Sequence, residues 1–147
     1  MSIAAGPSLW ARWLGFGGLI PFVGLAAAFW VARPGSWPFA TLALLAYGAV
    51  IASFLGAIHW GLVMREAPAQ PVPSLVWGVV PSLLGWMAVL LGHAQGLVLM
   101  AALLWACFAV DRALYPRHQV QAWLPMRLQL TLVASLSCLA AAVALAR

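Results

Sequence analysis

Five long apolar runs take up nearly the whole of this 147-residue chain, and that pattern decides the fold class before any motif is considered. The runs cover about residues 13–32, 39–64, 74–92, 97–115 and 125–146. Each is close to the ~20 residues with which a helix crosses a hydrocarbon core. No alternating barrel pattern occurs in them, so helices are the way to pair every backbone polar group inside lipid. Charged residues make up 6% of the chain, against roughly 25% in a soluble domain. The expected architecture is therefore all-α. It is one polytopic transmembrane domain, residues 1–147, folded as a bundle of five helices in the lipid bilayer. Prolines and glycines punctuate the apolar runs instead of replacing them, which sets the chain apart from a disordered one.

The net charge of +5 comes from seven arginines, which form no run, against two acids. Scattered singly, they do not make a nucleic-acid footprint, so no nucleic-acid partner is expected. They read as topology signals. Arg12, Arg65, Arg112, Arg117 and Arg127 fall on the side of the N-terminus, and Arg33 and Arg147 on the other. Positive residues favour the cytoplasm, which predicts N-terminus in, C-terminus out, in a multi-pass protein of a bacterial cell inner membrane. Trp10, Trp13, Trp60, Trp77 and Trp123 would belt the inner interface, and Trp30 and Trp37 the outer one. The first run has a basic flank and a small-residue stretch at Ala26-Ala27-Ala28. It is nevertheless long for a signal peptide and is expected to stay as a span.

Small residues mark the faces on which membrane helices pack, since apolarity alone cannot hold helices together in lipid. In the second run Gly48, Ala52 and Gly56 recur every four residues, and His59 continues the stripe, so His59 should point into the bundle. In the third, Ser74, Gly78 and Ser82 repeat the device, flanked by Pro81 and Gly85. The fifth carries a narrow polar stripe of Arg127, Thr131, Ser135 and Cys138. In the first, Gly17, Pro21, Gly24 and Ala28 share a face, and the glycines before Pro21 are expected to loosen the start of the helix. At ~1.5 Å per residue, His59 and Asp111 lie roughly 6–7 Å from the inner ends of their helices, and Pro21, Pro81 and Ser82 roughly 10–12 Å. The polar and irregular features thus gather in the inner third of the membrane.

Asp111 is the only acid within a span, and a carboxylate at that depth must find a partner or take a proton. Arg127, Arg12 and His59 are the available partners. Arg112 points to another face and should snorkel toward headgroups. Two readings stay open: an ion pair pinning helices together, or a site that accepts a proton or binds a ligand. The candidate binding cluster is His59, Asp111, Arg127 and Ser82, and the candidate helix-break or packing positions are Gly17, Pro21, Gly56 and Pro81. No cofactor is expected. Haem would need a second histidine at matching depth, and zinc three or four convergent ligands. Cys107 and Cys138 read as small buried apolar residues. No nucleophile motif, phosphate loop or protease signature occurs, and Ser53 lies off the His59 face.

The stretches Leu14-Gly15-Phe16-Gly17-Gly18-Leu19-Ile20-Pro21-Phe22, Ala46-Tyr47-Gly48-Ala49-Val50-Ile51, Phe54-Leu55-Gly56-Ala57-Ile58-His59-Trp60-Gly61, Trp77-Gly78-Val79-Val80-Pro81-Ser82-Leu83 and Asp111-Arg112 carry a family resemblance. Together they resemble a bacterial family of small polytopic membrane proteins of unknown function, similar to mitochondrial transmembrane protein 69. The resemblance spans nearly the whole chain. It implies a polytopic fold in a bacterial or mitochondrial inner membrane, and no established activity, cofactor or catalytic residue.

The leading functional expectation is a non-enzymatic accessory or assembly subunit of a larger inner-membrane complex, with a membrane-protein partner or a second copy gripped through the spans. The alternative is a small binding or transport protein that uses the inner-third site for a proton, a lipid headgroup or a quinone. A lipid-modifying enzyme is a third possibility, though acid–base groups alone define no reaction. A cavity beside the cluster would favour the second reading, and tight, fully paired packing would count against it.

Overall fold

The structure, a computed structural model, describes residues 6–31, 33–66 and 71–147. Six α-helices account for most of them: α1 Leu9–Gly17, α2 Ile20–Val31, α3 Trp37–Glu66, α4 Val72–Leu91, α5 His93–Leu114 and α6 Leu124–Leu145. Together α1 and α2 form one span broken in the middle, so five segments are long and apolar enough to cross a membrane. No strand occurs among the described residues. Residues 67–70 of the proline-rich connection expected at residues 67–73, and the end of the first run at Ala32, lie outside the described residues.

The break in the first span has a local cause. Proline carries no N–H, and its ring clashes with the carbonyl four residues earlier, which for Pro21 is that of Gly17. The chain tightens there, with Leu19 N donating to Phe16 O at 3.0 Å. The carbonyl of Gly18 then takes a hydrogen bond from the Tyr47 hydroxyl of α3 at 2.8 Å. Ser8 caps the start of α1 by accepting from Ala11 N at 3.2 Å. No residue of α1 is buried.

The packed face of α2 is Phe22, Ala26 and Phe29, which corrects the stripe expected from Gly17, Pro21, Gly24 and Ala28. A methyl group added at Gly17 or Gly24 would meet nothing. Two phenylalanines remove more surface from lipid and make more van der Waals contacts than two glycines, so they take the inside. In α3 the expected stripe of Gly48, Ala52, Gly56 and His59 is buried. Gly56 and Gly78 let α3 and α4 touch backbone to backbone, for a Cβ on Gly56 would collide with the Gly78 carbonyl. The buried face of α4 runs through Gly78, Pro81, Gly85 and Ala88, leaving Ser74 and Ser82 at its margin. Pro81 sits within a continuous helix, fully buried.

The link between α4 and α5 is shorter than the His93–Gly96 loop expected. Gly92 at φ 58°, in the left-handed region that suits glycine, and His93 at φ 45° make the turn, and α5 begins at His93. Leu44, Leu45 and Ala52 of α3, Leu97, Met100, Leu104 and Cys107 of α5, and Cys138 and Ala141 of α6 form the core with Phe22 and Phe29.

Candidate binding site

Three buried polar side chains from three helices meet near the end of the bundle that holds Arg65. On α3, His59 is one helical turn beyond Leu55. On α5, Asp111 sits in the last turn, and on α6 Arg127 sits in the first. His59 and Asp111 are each 1% exposed and Arg127 is 8% exposed. Arg127 donates from Nε at 2.8 Å and from Nη2 at 2.7 Å, both to Asp111 Oδ2. The other carboxylate oxygen, Oδ1, lies 3.1 Å from His59 Nε2. Both oxygens of Asp111 are thus engaged, and its charge is offset by the guanidinium, which meets the condition for an acid at this depth.

Of the partners open to Asp111, the structure brings up Arg127 and His59 together. Arg12 and Arg112 are exposed. Ser82 does not join the group, which corrects its inclusion in the cluster. Its hydroxyl donates to Val79 O at 2.7 Å on its own helix, a bond that a serine near a proline-interrupted helical turn forms locally. Ser53 likewise donates to Ala49 O at 2.8 Å.

Two side chains of this arrangement have spare hydrogen-bonding capacity. His59 Nδ1 is buried without a partner among the described residues. A His59 that donates from Nε2 presents at Nδ1 an acceptor with nothing to accept. Arg127 has five N–H donors, of which its bonds to Asp111 use one at Nε and one at Nη2, and the Tyr115 hydroxyl stands beside the guanidinium.

Arg127 also lines a cavity of about 630 Å³. Its walls come from α1, the break after it, the start of α2, α3, α5 and α6, and Arg65, Tyr115, Arg127 and Thr131 are polar members of them. Apolar side chains such as Phe22, Phe54 and Leu130 make up most of the rest. Its size lies within the range of small-molecule pockets, and its pattern of apolar walls with a few convergent polar groups is theirs too. Leu14 and Phe54 line it while being 75% and 64% exposed, so the cavity opens sideways into lipid between α1 and α3.

Near one end of the cavity stands a second polar group. Arg65 pairs with Glu66 and donates from Nη2 to His118 O at 3.3 Å. His118 Nδ1 lies 2.6 Å from Glu66 Oε2. These contacts tie the end of α3 to the turn after α5, and Arg65 also lines the cavity. At the opposite end of the bundle, Arg147 lies over the Trp30 ring at 4.4 Å.

Sequence reasoning overlooked Tyr115, Arg65 and the Tyr47 contact. Tyr115 is 3% exposed, adjoins Asp111 and Arg127, and has its ring 6.4 Å from that of His59. Its signal was available, since it stands one turn beyond Asp111 on the same helix face. Nothing in the sequence marks Tyr47 as the partner of a carbonyl 29 residues away.

Comparison with known proteins places the chain in a family. Transmembrane protein 69 of Xenopus tropicalis is 38% identical over 135 residues, which cover 86% of this chain and 51% of that protein. Transmembrane protein 69 of Mus musculus is 29% identical over 130 residues, 86% of this chain and 53% of that one. The chain thus spans about half the length of the curated relatives it matches. No solved structure matches it. The family model described as protein of unknown function, DUF3429, covers residues 8–143. The chain belongs to the DUF3429 family, and it is an integral, multi-pass membrane protein.

Proposed function

We propose that the protein is a membrane-embedded binding protein whose lateral cavity holds a lipid-soluble molecule against Arg127 and Tyr115. One observation carries this reading: a cavity of about 630 Å³, open to the bilayer, has a buried arginine with unspent donors in its wall. A residue serving only to pin α5 to α6 would need no such space beside it. The membrane proposed is a bacterial inner membrane, in which the arginine bias would put the Arg65 side in the cytoplasm.

The accessory-subunit reading is compatible with this one and draws on a different observation. The link at Gly92 is a single residue, and the connection at residues 115–123 holds only one 3-10 turn, Gln121–Trp123. A partner would therefore grip the faces of the spans, where Leu83, Trp86 and Leu90 of α4 are exposed.

Mild-detergent extraction of the full chain followed by native mass spectrometry tests both. A bound small molecule, lost when the cavity is filled by Ala11→Trp, supports binding. A stoichiometric protein partner with no bound small molecule supports the accessory role and counts against the cavity as the functional site.

A further inference from the structure

The charge balance of the cavity wall narrows what it can hold. Two cations line it, and each already faces an acid: Arg127 is held by Asp111, and Arg65 by Glu66. A phosphate headgroup drawn into the apolar interior would meet no uncompensated positive charge, and burying an unpaired anion there is costly. A neutral acceptor has no such cost. A carbonyl oxygen can take the N–H groups that Arg127 does not spend on Asp111, as a hydrogen bond from a charged donor, without disturbing the pair.

The shape of the wall adds a second constraint. Phe22, Phe54, Tyr115 and Trp123 place four aromatic side chains around the space, enough to contact a planar ring on several sides. The sideways opening at Leu14 and Phe54 lets a long apolar tail remain in the bilayer while the head enters.

Building on the binding role proposed above, we infer that the cavity takes a membrane quinone, with one ring carbonyl accepting from Arg127 and the isoprenoid tail leaving between α1 and α3. Tyr115, whose hydroxyl stands against Asp111 and Arg127, offers its ring to the same space. The inference concerns binding and assigns no electron transfer.

The test uses the full chain in phosphatidylcholine nanodiscs and isotope-labelled decyl-ubiquinone, with empty nanodiscs to subtract partition into lipid. Saturable binding of about one quinone per chain is expected. It should weaken at least ~10-fold in Ala11→Trp, which fills the cavity from the lightly packed α1 and leaves the triad untouched. Excess dioleoyl phosphatidic acid should not displace it. Arg127→Lys is the companion variant, since it keeps the charge but loses the planar fork of donors, and should also weaken binding. Uptake no greater than in empty nanodiscs overturns the quinone assignment. So does binding unchanged in Ala11→Trp, which would place the quinone elsewhere. If phosphatidic acid binds saturably and decyl-ubiquinone does not, the quinone assignment fails while a binding role for the cavity stands. If neither binds, both fail.

Discussion

Asp111 is held from both sides, by two nitrogens of Arg127 and by His59 Nε2, so its removal and its replacement are different experiments. Asp111→Asn keeps the shape and removes the charge, leaving the Arg127 guanidinium buried without a counter-ion. Breaking a buried pair in this way typically costs about 3–5 kcal/mol. The single variant should therefore unfold well below the native temperature when thiol accessibility of Cys107 and Cys138 is followed on heating, both thiols being buried. The paired replacement Asp111→Leu with Arg127→Met removes both charges at once. It should recover most of the loss, because well-packed apolar side chains often equal a buried ion pair in stability. A double variant as unstable as the single one would mean that His59 and Tyr115 depend on the pair for their own placement. The sequence exposed His59, Asp111 and Arg127 because ionisable residues within apolar runs are few. It misplaced Ser82, since a hydroxyl can satisfy itself on its own helix and its spacing does not say whether it has done so.

Glycine spacing was a guide to packing in α3 and α4, where a Cβ on Gly48 would strike Met100 and one on Gly85 would press on Ala49. Gly56 meets the backbone of Gly78, and the two helices approach there more closely than a Cβ permits. Gly56→Ala should force α3 and α4 apart, with a loss on the order of 1–3 kcal/mol from overpacking. Gly17→Ala is the contrast, for a Cβ there meets nothing. It should be neutral or slightly stabilising, by up to about 1 kcal/mol, through the higher helix propensity of alanine. Unfolding of the two variants side by side measures the difference, and equal destabilisation would refute the backbone contact. In α2 the same small-residue logic pointed to the wrong face, because Phe22 and Phe29 have their own packing partners in Tyr47 and Trp37. The break between α1 and α2 was legible from the glycines and Pro21, but its anchor was not. Tyr47→Phe removes the hydroxyl that holds Gly18 O. It should cost about 1 kcal/mol and speed amide exchange in α1 relative to α3. Unchanged exchange in α1 would show that Tyr47 does not restrain it.

Five crossings, an odd number, would put Leu9 and Leu145 on opposite sides of a membrane. Only the arginines distinguish the sides. The side that holds Arg65 carries five of them, two of which, Arg65 and Arg127, face acids. Arg12, Arg112 and Arg117 remain exposed there and available to a charge-sensing insertion machinery. On the other side Arg147 lies over Trp30, a contact compatible with an interfacial position. The excess predicts the N-terminus in the cytoplasm and the C-terminus outside. A C-terminal alkaline phosphatase fusion should be active in a bacterial host, and a C-terminal fluorescent protein that matures only in the cytoplasm should be dark. The exposed arginines supply the control, because Arg117 contributes charge to the bias without joining the buried triad. Replacing Arg12, Arg112 and Arg117 by Gln should weaken the orientation and let both reporters give partial signals. Strong fluorescence with inactive phosphatase in the unaltered protein would invert the topology. The triad and the cavity would then lie toward the outer leaflet, and a quinone would enter from that side.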